Sequence, residues 1–292
     1  MTAPPWYNLR RSDQYVYHYT TAATLAEKIL PSNRLRFSRF SDVSDPREAK
    51  EWKFNFLTYP EDLDSTIAEI QAGFNRQLKS SIHVACFCRD TDGAIVTDGV
   101  DPIPALYERG HSRPRMWAQY GDKHKGACLV FDRHRLNRAI RAAVERHETV
   151  VYDKIFYNSA LHGTTNLTTA GPFTIDTREV KRLGIAEAAR RHGARFMREL
   201  FFEKLPEWES EREYRWIVIS DRAAELMIDF QDSLVGILIG EDFPLAHMEA
   251  VARAPLERNL YLATMEWRNS GAPQPLPTHP NILLMRAQPA TV

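Results

Sequence analysis

Short apolar runs alternate along the chain with stretches in which apolar residues recur every three or four positions. The runs predict strands, because a buried or half-buried strand needs about four to eight apolar or alternating residues. These strands fall at residues 15–20, 35–38, 82–88, 127–131, 150–157, 216–219, 234–239, 260–265 and 282–285. They are spread over the whole chain, so we expect a sheet that is built from distant segments.

Helical spacing predicts helices between these strands. Thr20 or Thr21 can cap a first helix over residues 22–30, which Pro31 would stop. Further helices are predicted at residues 63–78, 136–144 and 178–204, and Gly184 and Gly193 weaken the last of them. Because the order has no regular strand–helix–strand rhythm, the sequence predicts an α+β fold with a mixed or antiparallel central sheet and flanking helices. We expect one domain at residues 15–290, preceded by an N-terminal extension at residues 1–14.

The composition argues against several classes of protein. Lys plus Arg and Asp plus Glu are balanced at 38 each among 292 residues, which disfavours a nucleic-acid coat or a polybasic membrane anchor. Of three cysteines, Cys86 and Cys88 are spaced C-x-C, which fits neither a disulfide framework nor a zinc or thioredoxin motif. The sequence contains no glycine-rich phosphate loop, no G-x-S-x-G and no H-E-x-x-H. Without a signal peptide or a membrane-spanning window, a cytoplasmic protein with no membrane partner is expected.

The strongest candidate chemistry lies in the segment from Trp208 to Arg215, which runs into an apolar strand. On a strand, Glu211, Glu213 and Arg215 would project from the same face, so two carboxylates and a guanidinium would share one site. Such a cluster can stabilise a cationic transition state. A purely structural network of ion pairs is an equally good interpretation.

Two aromatic segments are further candidates. His18 lies in an aromatic strand ahead of a capped helix, where its ring can hydrogen-bond a ligand, although strand histidines are often core residues. Trp117 and Tyr120 are three residues apart on one helical face and can sandwich a planar cation, or simply anchor a helix to the core.

A turn that contains Asp42, Asp45 and Glu48 lies beside several arginines. Its carboxylates can coordinate a metal, cap a helix or shape a phosphate-binding loop, and capping is the simplest of these explanations. Arg36 and Arg39 are suited to bidentate capture of phosphate.

Four ordered motifs resemble those of a large bacterial family of unknown function: Tyr-His-Tyr-Thr at residues 17–20, Leu-Arg-Phe-Ser at 35–38 with Asp-Pro-x-Glu at 45–48, Met-Trp-x-x-Tyr at 116–120, and Trp-x-x-Glu-x-Glu-x-Arg at 208–215. More distantly, the order of histidine strand, aromatic segment and E-x-E strand resembles the H-Y-E branch of the ADP-ribosyltransferase superfamily. That resemblance implies an ADP-ribosyltransferase-like fold. By this resemblance, His18 would hold the ribose and Tyr120 would stack on the nicotinamide ring. Glu213 would hydrogen-bond the ribose 2′-hydroxyl, and Glu211 would orient the acceptor.

The resemblance implies an enzyme that uses NAD as its substrate, without a metal, and passes ADP-ribose to a protein or nucleic-acid acceptor, or to water. Such an activity suits a toxin or defence effector and leaves room for a regulatory or antitoxin partner. The catalytic residues would be Glu213 and Glu211. The residues that would bind NAD are His18, Tyr19, Thr20, Arg36, Ser38, Arg39, Trp117, Tyr120 and Arg215.

Two alternatives remain open at this point. A metal-dependent nuclease would use Asp42, Asp45, Glu211 and Glu213 around a divalent ion. A noncatalytic nucleotide-sensing module would need only binding. The enzymatic interpretation makes one spatial prediction, that Glu213 and His18 face each other across a single crevice.

Overall fold

The computed structural model describes residues 13–43, 45–57, 67–92, 107–158, 171–222, 225–267 and 274–287. The first half contains strands β1 (Tyr15–Thr20), β2 (Arg34–Arg39), β3 (Asn55–Leu57), β4 (Ile82–Arg89), β5 (Ala127–Asp132), β6 (Thr149–Lys154) and β7 (Phe156–Tyr157). The second half contains β8 (Thr174–Asp176), β9 (Glu203–Lys204), β10 (Glu213–Ile219), β11 (Leu226–Asp229), β12 (Leu234–Ile239), β13 (Tyr261–Glu266) and β14 (Gln274–Pro277).

Helices flank these strands. They are α1 (Ala22–Thr24), α2 (Leu30–Ser32), α3 (Pro46–Ala49), α4 (Ile67–Ser80), α5 (Pro114–Gln119), α6 (Arg133–Ala143), α7 (Thr177–Leu183), α8 (Ile185–Arg195), α9 (Met197–Phe201), α10 (Leu245–Arg258) and α11 (Pro280–Ala287). A π-helical stretch, Leu25–Ile29, joins α1 to α2, and short 3-10 turns form at Phe40–Asp42, Gly110–Ser112 and Pro206–Glu211. The α+β class predicted from the sequence is confirmed.

Ten of the strands form one mixed, mostly antiparallel sheet. Its main path runs β11-β2-β4-β1-β5-β12-β13-β14, while β10 pairs with β4 and β6. Only the pairing of β12 with β13 is parallel within this sheet. The remaining four strands form two small parallel pairs, β3 with β8 and β7 with β9.

The sheet is split where β1 and β2 share one edge of β4. The start of β1 pairs with one end of β4, since Tyr17 lies opposite Cys88. The end of β2 pairs with the other end, since Ser38 lies opposite Val84. Among the described strands, residues 85–87 therefore have no ladder partner on this edge, although β10 pairs with them on the opposite edge.

Three apolar clusters cover the two faces of the sheet. The largest, which includes Val16, Phe87 and Trp216, packs beneath the helices on one face. On the other face, one cluster surrounds Phe74 and Phe201, and another surrounds Tyr17 and Trp117. The alternation of side chains along β1, β4 and β10 produces this division, because successive residues point to opposite faces.

Several predicted elements differ from the structure. The strand predicted at 282–285 is wrong: the run belongs to helix α11, whose Pro280 occupies a favoured first-turn position. The long helix predicted at 178–204 is three helices followed by a strand, and the first break is at Gly184, where φ is 79°. The first helix passes Pro31 and ends at Ser32, before the left-handed Asn33. The sequence analysis missed β3, β8, β11, β14 and α10.

Some predictions lie wholly or partly outside the described residues. The extension at residues 1–14 and the start of the helix predicted at 63–78 are among them. The described part of that helix begins at Ile67.

Candidate functional site

A cavity of about 280 Å³ opens at the split between β1 and β2. Ala85, Cys86 and Phe87 of β4 lie among its lining residues, at the positions where the ladder is interrupted. The other lining residues are Tyr17, His18, Tyr19, Arg36, Ser38, Asp42, Val43, Asp45, Glu48, Val84, Cys88, Met116, Tyr120, Lys204, Glu211, Glu213 and Arg215. Most of the site residues predicted from the sequence therefore line the cavity at this interruption of the ladder.

Backbone groups of two strands face the split. Along a strand, the peptide groups of successive residues point alternately to the two neighbouring strands. In β1 the Gln14 carbonyl accepts from Arg133 N–H on the β5 side, so the peptide groups of Tyr19, an odd number of residues later, point to the β4 side. Along β4, Arg89 N–H donates to the Arg212 carbonyl on the β10 side, so the peptide groups of Cys86 point to the split. Neither residue has a ladder partner there among the described strands. His18 Nδ1 donates to the Cys86 carbonyl, so the Cys86 N–H and the peptide groups of Tyr19 are the groups that face the split without a ladder partner.

His18 contacts this interruption directly. Its Nδ1 lies 3.2 Å from the Cys86 carbonyl oxygen and donates to it, which leaves Nε2 as the acceptor. Burial lowers the pKa of His18, so the ring is neutral near pH 7. The ring packs 5.4 Å from that of Phe87.

The prediction that His18 and Glu213 face each other across one crevice is wrong, although both residues line the same cavity. His18 and Glu213 both line the cavity, but the register places Glu213 on the same face as Cys88 and Tyr17, and His18 on the opposite face with Phe87. They share one cavity because it passes through the gap in the sheet.

Three buried carboxylates and two buried cations form the wall opposite β2. Arg215 donates from Nε to Glu213 Oε1 at 2.7 Å and from Nη1 to Glu48 Oε1 at 2.8 Å. Lys204 Nζ lies 2.7 Å from Glu213 Oε2, 3.4 Å from Glu211 Oε2 and 4.0 Å from Glu48 Oε2. The contact with Glu213 Oε2 is an ion pair only, since that oxygen accepts no hydrogen bond of regular geometry from the described residues. One oxygen of Glu213 is thus held by Arg215, and the other lies against the Lys204 ammonium.

The two glutamates have opposite pKa shifts. Burial alone would raise the pKa of Glu213, but Arg215 and Lys204 outweigh it and hold the pKa well below its usual range. Burial raises the pKa of Glu211 against the opposing effects of Lys204 and Tyr120. Burial would lower the pKa of Lys204, but Glu213, Glu48 and Glu211 raise it well above its ordinary value. Glu213 is therefore a permanent carboxylate, whereas Glu211 is the group suited to exchange a proton.

The prediction that Glu211, Glu213 and Arg215 meet is correct, but only partly for the predicted reason. Glu213 and Arg215 alternate on β10 as expected. Glu211 ends the 3-10 turn Pro206–Glu211, and the left-handed Arg212, with φ of 45° and ψ of 49°, turns the backbone into the strand. Glu211 reaches the cavity because of this turn rather than through strand alternation.

The remaining predicted site residues divide into two groups. Tyr19, Arg36, Ser38 and Tyr120 line the cavity, and Tyr120 O–H donates to Glu211 Oε1 at 2.8 Å. Thr20, Arg39 and Trp117 are not among the lining residues. Trp117 is fully buried, and its indole N–H donates to the His111 carbonyl at 2.8 Å, as expected for a helix anchor.

Sequence analysis missed Lys204 entirely and did not assign Glu48 to this cluster. Lys204 fell inside the predicted long helix, which hid its place on β9. Asp45 does cap α3, accepting from Arg47 N–H at 2.9 Å, and Glu48 on that helix reaches Arg215. A lysine a few residues before an E-x-E segment was the only available signal.

Within the described ranges, no group of three or more His, Cys, Asp or Glu side chains is arranged to hold a metal ion. No described helix combines the length and the apolar character that crossing a bilayer requires.

Part of the chain matches a known protein family. Residues 116–216 match the model of a family described as "Protein of unknown function (DUF2971)". No curated protein and no solved structure matches the chain. The matched segment includes Met116–Tyr120, Glu211 and Glu213, but not Glu48; it begins after β4 and ends before β11. Residues 116–216 are therefore similar to the DUF2971 family, whose function is unknown.

Proposed function

We propose that the cavity binds the nicotinamide-ribose end of NAD and that the protein breaks the bond between nicotinamide and ribose, passing ADP-ribose to a macromolecular acceptor or to water. The observation that carries the proposal is that strand peptide groups without a ladder partner and a fixed carboxylate meet in one cavity. The resemblance to ADP-ribosyltransferases agrees with this chemistry.

The split in the sheet suits a carboxamide. A primary carboxamide offers a donor and an acceptor in one plane, as a peptide group does, and can pair with the peptide groups of Tyr19 or with the Cys86 N–H. Buried peptide groups without partners are costly, so a ligand that pairs with them gains both affinity and orientation. Nicotinamide carries such a group beside its ring nitrogen.

The charge of the lining favours a cation in the cavity. Five carboxylates line it against three cations, Arg36, Lys204 and Arg215, so the formal excess is two negative charges with His18 neutral. A pyridinium ring is attracted to such a lining, whereas a diphosphate is repelled. Arg36 is the cation of β2 on the lining and remains about half exposed beside Glu225, so we place the diphosphate near it, at the mouth.

The size of the cavity agrees with a site that encloses only part of an NAD molecule. At about 280 Å³ it lies near the lower end of the ~300–1,000 Å³ range of small-molecule sites. One nucleoside-sized half of NAD is therefore enclosed, and the adenosine half lies outside.

The chemistry requires a charge that is fixed before the reaction. When the glycosidic bond breaks, its electron pair moves to the nicotinamide nitrogen and the ribose becomes oxocarbenium-like. Glu213 can stabilise that charge without reorganising, because Arg215 already fixes its carboxylate. The acceptor then bonds to the ribose carbon and loses its proton to Glu211, whose raised pKa suits it to this role.

The nuclease alternative is less well supported by the arrangement of charges. Lys204 Nζ is the cation between Glu211 and Glu213, where a nuclease would hold its divalent ion. EDTA separates the two functions, because it should abolish a metal-dependent nuclease and leave cleavage of NAD unchanged.

The direct test is release of labelled nicotinamide from NAD, with and without cell lysate as a source of acceptor. Glu213→Gln should lower the rate about 100-fold or more while NAD still binds. Glu209→Gln is the matched control, since Glu209 lies on the same turn but is exposed and pairs only with Arg212, at 3.6 Å. Absence of release by the unaltered protein in both conditions would contradict the proposal. Binding of NAD by the unaltered protein without any release would point to a noncatalytic nucleotide-sensing module, and equal effects of the two substitutions on the rate would remove Glu213 from the chemistry.

A further inference from the structure

We propose that Tyr120 is a positioning residue whose hydroxyl holds the Glu211 carboxylate in place at the cavity, and that the reaction depends on this hydroxyl rather than on the aromatic ring. The expected effect on the rate rests on the proposed function. The contact itself is tested independently of that function, because the titration of Glu211 is measured without NAD.

Two partners on separate elements hold the Glu211 carboxylate. Tyr120 O–H donates to Oε1 at 2.8 Å, and Lys204 Nζ donates to Oε2 at 3.4 Å. The side-chain amide of Gln119 donates to the Tyr120 hydroxyl oxygen at 3.1 Å, which leaves the hydroxyl proton for Glu211. A carboxylate with a donor on each oxygen is fixed in one orientation, and the phenol supplies one of the two donors.

The helix that carries Tyr120 is fixed to the core. On α5, Trp117 is fully buried and its indole N–H donates to the His111 carbonyl at 2.8 Å. Tyr120 follows the last residue of the helix, and its own N–H donates to the Met116 carbonyl at 2.9 Å. The position of the hydroxyl is therefore set by a packed helix, as a positioning role requires.

The same helix also holds the turn that ends in Glu211. Arg115 Nη1 donates to the Glu207 carbonyl at 3.0 Å and to the Ser210 hydroxyl at 3.2 Å, and its guanidinium lies 5.6 Å from the centre of the Trp208 ring. The left-handed Arg212 separates Glu211 from β10, so pairing within the sheet does not fix this side chain. Helix α5 fixes it instead, through Arg115 on the turn and Tyr120 on the carboxylate.

A single substitution separates the hydroxyl from the ring. Tyr120→Phe keeps the ring, and we expect it to lower kcat for nicotinamide release about tenfold with KM within about twofold, because only the orientation of Glu211 is lost. Tyr214→Phe is the matched control: its hydroxyl accepts from Arg133 at 3.2 Å but lies outside the cavity lining, so both constants should stay unchanged. An unchanged kcat in Tyr120→Phe, with or without a rise in KM, would overturn the proposal and leave the ring as the functional part.

The pH dependence gives a second measure of the same contact. The titratable groups that act on Glu211 or respond to it are Tyr120, Lys204, Glu213, Tyr157 and Cys88. Burial raises the pKa of Glu211, and Lys204 and the hydrogen bond from Tyr120 oppose that rise. Because Glu211 accepts its proton as a carboxylate, the rate should increase as the pH passes this pKa, and Tyr120→Phe should move the increase to higher pH. Replacing Tyr120 by 3-fluorotyrosine, a stronger donor of nearly the same shape, should move it to lower pH, which keeps the test decisive if Tyr120→Phe does not fold.

Carbon-13 NMR of protein labelled at its glutamate carboxyl groups measures these shifts without NAD, with Glu211→Gln to assign the signal. A titration of Glu211 that moves to higher pH in Tyr120→Phe, but not in Tyr214→Phe, supports the proposal. A titration that is the same in Tyr120→Phe or with 3-fluorotyrosine as in the unaltered protein overturns it, because the hydroxyl then does not hold the carboxylate. If the protein releases no nicotinamide, the proposed function fails, while the NMR titration still decides whether Tyr120 holds Glu211.

Discussion

Two buried ionic groups lie on the same sheet and differ in what surrounds them. Near the Gly110–Ser112 turn, Arg109 Nη1 donates to Asp90 Oδ2 at 2.5 Å, and Gly110 N–H donates to Asp90 Oδ1 at 2.8 Å. Neither Asp90 nor Arg109 lines the cavity. The other group is the carboxylate cluster around Lys204 and Arg215, which forms a wall of the cavity.

The number of cations also separates the two groups. The pKa of Asp90 is raised, because burial outweighs the single guanidinium of Arg109. The pKa of Glu213 is lowered despite its burial, because Arg215 and Lys204 act together. Burial of an ion pair therefore does not by itself indicate a functional site. A surplus of ionised carboxylates along a cavity wall does, since closed cores rarely retain it.

The largest effect on this comparison should come from Arg215→Met, which leaves two buried carboxylates without their guanidinium. We expect a loss of about 3–5 kcal/mol in the free energy of unfolding, measured by urea denaturation. Arg36→Met, which breaks the exposed pair with Glu225, should cost about 0–1 kcal/mol. Similar small losses for both variants would show that the cluster is not a buried charge network.

Asp90→Asn should separate stability from activity. It leaves Arg109 buried with a weaker partner, and we expect a loss of about 3 kcal/mol in the free energy of unfolding. Because no cavity side chain changes, NAD turnover per folded molecule should stay within about twofold of the original. A large fall in turnover at unchanged folding would assign the closed pair to the site and remove the distinction.

The fall in the free energy of unfolding at acidic pH should depend on Glu213. Its folded pKa lies below the ordinary 4.5, so its contribution is present above that pH and is lost as the pH falls through the folded pKa. Glu213→Gln should flatten the dependence of unfolding free energy on pH in this acidic range. Glu211 has the opposite sign, since a raised pKa disfavours the folded state as that carboxyl ionises. An unchanged acid limb in Glu213→Gln would contradict the assignment of these shifts.

The alkaline limb of the stability curve should depend on Lys79. Burial lowers its pKa to about 8 from 10.5, so the folded state releases a proton before the unfolded state does. Stability should therefore rise between about pH 8 and 10.5, and Lys79→Met should lack this rise. Urea denaturation over that range, relative to the unaltered protein, is the measurement. A rise of equal size in the variant would assign it to another group.

The sequence predicted the strands of the main sheet well where burial is strong. β1, β4, β5 and β12 were found because apolar residues dominate their sequences, and tertiary context agrees with local preference there. The run at 282–285 is too short for periodicity to distinguish a strand from a helix. Pro280 favours the helix, because it stands at the first helical position. The short strands β3, β8, β11 and β14 carry too little pattern to be recognised.

The site was predicted from residue types, but its architecture was not. Nothing in the sequence indicates that β1 and β2 share one edge of β4, because strand order is set by pairing between distant segments. The split, the open peptide groups and the role of Lys204 all follow from that order. Glu211 was assigned to the site through an alternation that the structure does not have.

The central claim is that the nicotinamide-ribose end of NAD binds in the split between β1 and β2, beside Glu213. A crystal structure of Glu213→Gln soaked with NAD tests it most directly, because turnover is suppressed while the cavity is kept. The account predicts the carboxamide paired with the peptide groups of Tyr19 or the Cys86 N–H, and the ribose beside position 213. A structure with the split empty, or with NAD bound elsewhere, would contradict it.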